Sequence, residues 1–172
     1  MPASSSDLFA FLASLSIPTE TVDHPPLFTV EESRRLRGKL RGLHAKNLFL
    51  KDKKDRHFLV VAEEAAEIDL KRLHERIGAR GRLSFGAPAR LLAVLGVTPG
   101  SVTPFALLND RPPSIELVLD DRFAAAEAAN FHPLVNTATT TISGADLLRF
   151  LAATGHAPRL VDFSAVSIQT DL

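Results

Sequence analysis

The sequence predicts an α+β fold built around a mixed β-sheet, and three observations lead to that class. Helical and strand-like segments follow one another without a regular βαβ repeat. Two apolar runs are separated by a short charged turn, which is typical of an antiparallel hairpin. The length of 172 residues and the hydrophobic fraction of 45% suit one core. We therefore expect a single domain over residues 1–172, with its core from about residue 20 to about residue 163.

The N-terminal part of the chain is predicted to form a helix, a short strand and a second helix. Ser4 to Asp7 provide N-cap side chains for an amphipathic helix over about residues 5–15. Thr21 to His24 favour a short strand that is closed by two prolines. Thr29 to Glu32 have the spacing of a capping box, so a second helix is expected to begin there and to end near Gly38.

A β-hairpin is predicted next, because the apolar runs Asn47 to Leu50 and Phe58 to Ala62 flank the charged turn Lys51 to Arg56. The rest of the chain is predicted to contain three more helices, several strands and a Gly/Pro loop. The helices are expected at 69–77, 87–95 and 145–153 (the last capped by Ser143), the strands near 105–108, 115–119, 137–142 and 159–163, and the loop at 98–104.

Lys46 is the most unusual residue of the hairpin. Side-chain alternation places it on the same strand face as Leu48 and Leu50, which are candidates for the core. Burying an unpaired ammonium group is costly. Either the strand begins at a solvated edge or Lys46 is held in a pocket. The neighbouring Asn47 is a poor strand former, so two polar groups precede the apolar run.

Charge is distributed unevenly, although the net charge of the chain is zero. Residues 34–56 contain ten basic and two acidic side chains, a local charge of +8, so the rest of the chain carries −8. Such a segment forms either a solvated surface or a binding site for a phosphate backbone.

Several functional classes are excluded or disfavoured. The chain has no cysteine, which rules out disulfides, thiolate zinc sites and cysteine nucleophiles. The glycines lack the spacing of a phosphate loop or a dinucleotide fingerprint, and there is no Gly-x-Ser-x-Gly sequence. The six histidines are scattered, so neither a metal nor another cofactor is expected. No apolar run approaches about 20 residues and no signal-peptide pattern is present, so we expect a cytoplasmic protein with no membrane partner.

The remaining candidates for chemistry are polar groups in loops. His24 and His132 each precede a proline, which holds the preceding backbone extended. For His24 a hydrogen bond to a loop carbonyl is the favoured interpretation. For His132, which lies between Asn130 and Asn136, a pocket role and a structural role are equally supported. The loop from Gly100 to Pro104 can turn backbone N–H groups toward an oxyanion.

Five segments of the chain together carry a family resemblance. They are Asp23 to Pro26, Thr29 to Glu32, Lys46 to Asp52, Gly96 to Pro104 and Phe131 to Leu134. In these segments the chain resembles the YbaK and prolyl-tRNA-synthetase-associated editing domains, which remove mischarged amino acids from tRNA. Within that superfamily it looks most like the free-standing Ala-tRNA(Pro) deacylases, the ProXp-ala group. The cysteinyl-tRNA(Pro) deacylases are the next most similar branch.

The resemblance implies a metal-free fold, a lysine central to deacylation and a backbone-lined site at the Gly-x-x-x-Pro loop. The catalytic groups that it implies are Lys46, Gly100, Ser101 and Val102. The substrate-binding residues are expected to be Asn47, His132, Thr103, Pro104 and Phe28. The tRNA contacts are expected at Lys51, Lys53, Lys54, Arg80 and Arg82.

The reaction that the resemblance implies is hydrolysis of the ester in mischarged Ala-tRNA(Pro). Two alternatives stay open: a deacylase of Cys- or Ser/Thr-charged tRNA, and a catalytically silent module that binds tRNA or a synthetase. The expected partners are the acceptor end of tRNA(Pro) and, transiently, prolyl-tRNA synthetase. We expect the protein to act as a monomer.

Overall fold

The computed structural model describes residues 1–26 and 30–163. The helices in these ranges are α1 (Ser5–Ser14), α2 (Val30–Arg37), α3 (Leu73–Ile77), α4 (Pro88–Leu95), α5 (Asp121–Ala124) and α6 (Gly144–Thr154). The strands are β1 (Glu20–Asp23), β2 (Leu43–Lys51), β3 (His57–Glu63), β4 (Ser84–Phe85), β5 (Glu116–Asp120), β6 (Ala129–Phe131), β7 (Ala138–Ile142) and β8 (Arg159–Val161). Pro99–Ser101 and Pro104–Asn109 are 3₁₀ helices.

The eight strands form one mixed sheet in the order β1-β7-β6-β2-β3-β5-β8, and β4 pairs with β2 outside that order. Strand β2 is antiparallel to β3 along most of its length, whereas β5 runs parallel to β3 and to β8. On its other side β2 has two different neighbours. Its first residues, Leu43 and His44, pair with β6, and its last two, Leu50 and Lys51, pair with β4.

Because side chains alternate along the two strands of the hairpin, these strands contribute residues to two apolar cores on opposite faces of the sheet. Phe49 and its cross-strand partner Leu59 belong to the larger core, which helices α1, α4 and α6 cover. Leu50 and its partner Phe58 belong to the smaller core, which α3 covers. Full burial of one such side chain contributes about 1.5–3 kcal/mol. Lys46 lies on the face of the smaller core, as alternation predicts.

The predicted α+β class, the mixed sheet and the hairpin are confirmed. The capping box at the start of α1 and the Ser143 cap of α6 are also present. The helix expected at 69–77 begins only at Leu73, because the Asp69 carboxylate accepts the N–H of Lys71 and holds a turn there. Residues 27–29, with the predicted capping residue Thr29 and the predicted site residue Phe28, lie outside the described residues.

The predicted strand at 105–108 is wrong, since these residues form the second 3₁₀ helix. Pro104 fixes the first backbone angle of that helix, and the Thr103 hydroxyl accepts the N–H of Phe105. The short elements β4, β6 and α5 were not predicted, because two to four residues are too few to show a period. No helix in the described ranges is long and apolar enough to span a bilayer.

Candidate active site

A small cavity lies where the first half of β2 meets α2, β6 and β7. Its volume is about 170 Å³. Its walls include Arg37 from α2, His44 and Asn47 from β2, Glu64 just after β3, and His132 just after β6. The structure therefore brings two of the sequence-predicted substrate-binding residues, Asn47 and His132, to the same cavity.

Two residues that line this cavity each carry a buried polar atom for which the described part of the chain provides no partner. Among the described residues, neither the Asn47 Oδ1 atom nor the His44 Nε2 atom makes a hydrogen bond. A buried polar group left unsatisfied costs about 1–3 kcal/mol. Asn130, which also lines the cavity, is fully engaged, because its amide donates to the Arg41 and Leu43 carbonyls and accepts from the Thr141 hydroxyl. The free hydrogen-bonding capacity is thus concentrated on β2.

His132 is held in one tautomer. Its Nδ1 atom lies 3.0 Å from the Ala138 carbonyl oxygen, so Nδ1 carries the proton and Nε2 keeps a lone pair. Burial lowers the pKa of His132 below the usual imidazole value; the bond to Ala138 opposes this shift, and the nearby His24 adds to it. The His24 and His132 ring centroids are 6.3 Å apart. His132 is therefore a neutral acceptor at neutral pH.

His24 supports its neighbours. Its Nδ1 atom donates to the Pro25 carbonyl oxygen at 2.9 Å, which confirms the expected hydrogen bond to a loop carbonyl. Its Nε2 atom lies 2.9 Å from the Thr139 hydroxyl, and Thr139 is part of the cavity wall. His24 therefore ties the end of β1 to β7.

Lys46 lies next to the cavity and not in its wall. Its side chain leaves the opposite face of β2 from Asn47, and its ammonium donates to the Ala66 carbonyl oxygen. Ala66 is two residues beyond Glu64, which does line the cavity. Lys46 is half-buried, and no carboxylate among the described residues pairs with it. It keeps two N–H donors and a positive charge available beside the cavity.

The loop from Gly100 to Pro104 lies near the residues that follow His132. A Cβ atom added at Gly100 would have the Asn136 amide nitrogen as its nearest neighbour, at 3.7 Å. The Ser101 N–H donates to the Thr98 carbonyl oxygen at 2.9 Å, so this amide is used inside the loop. Val102 packs into the larger core. Thr103 and Pro104 are buried in the start of the second 3₁₀ helix, and neither lines the cavity.

The predicted tRNA contacts lie on two turns that one buried carboxylate joins. Asp52 accepts the backbone N–H groups of Lys54 and Arg56 from the hairpin turn and that of Arg80 from the second turn, at 2.9–3.0 Å. The Lys53 N–H also donates to the Arg80 carbonyl oxygen. Burial alone would raise the pKa of Asp52, but these backbone donors outweigh it and the pKa is lowered.

We call this region the basic surface and define it by Lys51, Lys53, Lys54, Arg80 and Arg82. All of these side chains are exposed except Lys51, which is half-buried. Arg56, in the same turn, is bound to Glu116 at 2.5 Å, so its charge is compensated locally. The basic surface therefore presents cations whose backbones are fixed and whose side chains face solvent.

A larger groove of about 490 Å³ lies beside Arg41 and Gly42. Three of its eight lining residues are alanines, and its second arginine, Arg122, is bound to Asp120 at 2.7 Å. None of the unpartnered buried atoms found in the described residues lines it. In the same ranges, no three histidine or carboxylate side chains come together as a metal site would require.

Arg37, His44 and Glu64 line the cavity and were not predicted as site residues, and His44 is the one of these with a buried ring nitrogen. In the sequence it is one more polar residue near the start of β2, two positions before Lys46. Its significance is the burial of one ring nitrogen, which depends on the neighbouring strand β6. No local pattern contains that information.

Comparison with known proteins identifies the family of this chain. Residues 24–150 match the family model described as the aminoacyl-tRNA editing domain. The chain belongs to this family. The resemblance seen in the sequence is confirmed, and the class of reaction follows from the family: hydrolysis of the ester that joins an amino acid to tRNA.

Individual relatives cover nearly the whole chain. The chain is 42% identical over 156 residues to prolyl-tRNA synthetase associated domain-containing protein 1 of Bos taurus, covering 88% of this chain and 91% of that protein. It is 36% identical over 156 residues to the prolyl-tRNA editing protein ProX of Acetoanaerobium sticklandii, covering 90% and 94%. A crystal structure described as a candidate trans-editing enzyme for prolyl tRNA synthetase superposes with a TM-score of 0.68 at 19% identity, covering 94% of this chain and 98% of that one. This last likeness establishes the fold.

Proposed function

We propose that this protein is a trans-editing deacylase that hydrolyses Ala-tRNA(Pro). The observation that carries the proposal is the cavity of about 170 Å³ in which Asn47 and His132 meet. The names of the relatives in cattle and in Acetoanaerobium, which refer to prolyl-tRNA synthetase and to prolyl-tRNA editing, support the same tRNA. The amino acid is inferred from the size and the polar groups of the cavity.

Size explains why such an enzyme is needed. A synthetase pocket shaped for proline admits the smaller alanine, because each missing methylene gives only about 1–3 kcal/mol of discrimination. A second, hydrolytic site that accepts only small side chains provides the rest. Pockets for drug-sized ligands occupy about 300–1,000 Å³. The cavity next to Asn47 is well below that range, which favours a small aminoacyl group.

The unpartnered atoms of β2 suit the amino acid itself. The ammonium group of an aminoacyl ester needs hydrogen-bond acceptors, and Asn47 Oδ1 is a buried acceptor that no described residue engages. The Nε2 lone pair of His132 is a second acceptor in the same wall. Together these atoms hold the ammonium group or the attacking water and fix the position of the ester carbonyl.

The proposed chemistry is addition of water to the activated ester carbonyl. The oxyanion of the tetrahedral intermediate is stabilised by the backbone N–H of Gly100, and the ribose oxygen leaves with a proton from the attacking water. The neighbouring ribose hydroxyl assists this transfer, so a protein general base is not required. Lys46 binds the terminal phosphate or carbonyl region of the aminoacyl-adenosine, because no carboxylate in the described ranges pairs with it and its neighbours Ala45 and Asn47 line the cavity.

The basic surface holds the rest of the acceptor end. Along β2, which rises about 3.3 Å per residue, Lys51 is about 13 Å from Asn47. A strand of nucleotides that ends in the cavity therefore passes close to the basic surface. Contacts of lysine and arginine with phosphates supply affinity and make binding sensitive to salt.

The test is a panel of charged tRNAs. We expect Ala-tRNA(Pro) to be hydrolysed fastest, with Pro-tRNA(Pro) spared because proline exceeds the cavity. Ala-tRNA(Ala) is the control for the tRNA and should also be spared. Faster hydrolysis of a Cys-, Ser- or Thr-charged tRNA would replace the alanine assignment. No hydrolysis of any substrate would identify a binding module instead.

A further inference from the structure

Phe85 is an aromatic side chain that the fold leaves in solvent. It is 61% exposed, far more than the core phenylalanines. Among residues 1–26 and 30–163, no aromatic ring or guanidinium group stacks on it. A single exposed apolar residue is common on protein surfaces. Its rigid backbone and its charged surroundings distinguish Phe85 from such a residue.

The backbone of Phe85 is fixed on both sides. Phe85 pairs with Leu50 in the ladder between β4 and β2, and the next N–H, that of Gly86, donates to the Phe49 carbonyl oxygen at 2.9 Å. A Cβ atom at Gly86 would lie 2.4 Å from the Phe49 ring, so only glycine fits there. The sequence thus holds β4 tightly against β2 while its aromatic side chain stays exposed.

Lysine and arginine residues lie close to Phe85 along the chain and across the ladder. Ser84 lies opposite Lys51 in the ladder, and Arg82 precedes Phe85 by three residues. Arg82 belongs to the same turn as Gly81, where an added Cβ atom would meet the Lys53 side chain at 2.6 Å. Of the two acids in the hairpin turn, Asp52 is buried and engaged by backbone N–H groups, whereas Asp55 is exposed. An exposed ring close to cations that form no salt bridge within the described ranges matches the chemistry of nucleic-acid binding, in which cations bind phosphates and a ring stacks on a base.

We propose that Phe85 stacks on a base of the tRNA acceptor end. This inference rests on the proposed function and specifies how the basic surface reads its substrate. Lys46 and Leu50, the partner of Phe85, share one face of β2 and are four residues apart, about 13 Å. A stacked strand rises about 3.4 Å per nucleotide. The stacked base therefore lies about three or four nucleotides before the 3′-terminal one.

The test compares Phe85→Ala, Phe85→Leu and Phe85→Trp on two Ala-tRNA(Pro) substrates, one intact and one abasic at that nucleotide. On the intact substrate, Phe85→Ala and Phe85→Leu should each lower kcat/KM by roughly 5- to 100-fold, whereas Phe85→Trp should retain it. On the abasic substrate the alanine variant should lose nothing further. Leu160→Ala, another exposed apolar residue but on strand β8, is the matched control and should match the wild type.

Two results would overturn the stacking proposal: wild-type kcat/KM in Phe85→Ala, or the same loss on both substrates. Melting temperatures of all variants check that they are folded. If the wild type hydrolyses no charged tRNA, the proposed function fails, and the Kd of uncharged tRNA(Pro) for the same variants then decides the stacking proposal by itself. A wild-type Kd in Phe85→Ala would refute it, and weaker binding restored by Phe85→Trp would support it.

Discussion

The two ends of strand β2 use polar residues in opposite ways. At its first end, which we call the cavity end (His44 to Asn47), one atom each of His44 and Asn47 is buried with no partner in the part of the chain that the structure describes. At its last end, where Leu50 and Lys51 pair with β4, the buried acid Asp52 satisfies backbone groups of two turns. The charged side chains of the basic surface stay in solvent.

The difference between the ends indicates a division of labour. In a buried environment a hydrogen bond is stronger than in water, so it discriminates between small chemical groups. In solvent, cations attract a polyanion over distances comparable to the Debye length, about 8 Å at physiological salt. Changes at the cavity end should therefore affect the chemical step and the choice of amino acid. Changes at the basic surface should affect tRNA affinity and its dependence on salt.

The largest effect is expected for Lys46→Ala. Loss of the cation that fixes the aminoacyl end should lower kcat for Ala-tRNA(Pro) by roughly 100- to 1,000-fold, the range seen when one preorganised electrostatic contact is removed. The variant should stay folded, because the ammonium makes one hydrogen bond, to Ala66, and no described ion pair. Single-turnover deacylation and thermal melting measure the two quantities.

Lys39→Ala is the matched control for Lys46, since Lys39 is an exposed lysine of the same basic segment. It should keep a near-wild-type kcat. If Lys46→Ala also keeps that rate, then Lys46 is not part of the reaction, and the distinction between the two ends of β2 loses its main support.

A smaller effect is expected for Gly100→Ala, which tests how far the cavity end extends. The new methyl group has space, since its nearest neighbour would be Asn136 at 3.7 Å. Stability should therefore be unchanged or higher by about 0.4–1 kcal/mol, because the unfolded chain loses freedom. We expect kcat to fall roughly 10-fold, because a methyl group hinders close approach of the oxyanion to the loop amides. Urea unfolding and single-turnover assays check both.

Gly42→Ala is the control for Gly100→Ala, because the backbone at Gly42 requires glycine. Gly42 has a φ of +93°, and an added Cβ would lie 2.3 Å from the Ala128 carbonyl oxygen. This variant should lose stability, whereas Gly100→Ala should not. An unchanged kcat in Gly100→Ala would show that the loop does not contact the reacting ester.

A few-fold effect is expected at the basic surface. Lys51→Ala and Arg80→Ala should each weaken tRNA binding and reduce the slope of log K against log salt by about 1. The order of preference among Ala-, Ser- and Cys-charged tRNA should stay the same. Binding titrations over a range of salt concentrations measure the slope. Arg149→Ala, which removes an exposed arginine bound to Asp146, is the control. A changed amino-acid preference in either basic-surface variant would contradict the proposed division of roles between the two ends of β2.

The local structure of β2 near the basic surface could be predicted from the sequence better than that of the cavity end. The hairpin, its turn and the cations on it follow from local patterns of charge and alternation, which are properties of adjacent residues. The cavity end depends on pairing between His44 and Asn130, residues far apart in the chain. Strand β6 is three residues long, so neither its pairing nor the burial of His44 Nε2 has a local signal. Ser101 shows the same limit, since its N–H is used inside the loop.

The smallest expected effect is on pH dependence, and it tests the cavity end through His132. Burial lowers the pKa of His132, and the neighbouring His24 lowers it further, although the hydrogen bond to Ala138 opposes them. His24→Gln removes the imidazole whose ring centroid is 6.3 Å away, while its amide can still bond to Thr139. The pKa of His132 should then rise, and the acid limb of the pH profile for deacylation should move to higher pH.

The free energy of unfolding should also decrease as the pH falls through the titration of His132. Because the folded-state pKa of His132 lies below 6.5, its value when unperturbed, the unfolded chain takes up a proton first as the pH falls. The contribution of His132 is therefore fully present above pH 6.5 and is lost as the pH falls toward the folded-state pKa. Because removing His24 raises the folded-state pKa of His132, the pH range over which this contribution is lost should become narrower. His74→Gln in α3, away from the cavity, is the control and should change neither the pH profile of activity nor the pH dependence of stability. If the acid limb does not shift in His24→Gln, then protonation of His132 does not limit the deacylation rate.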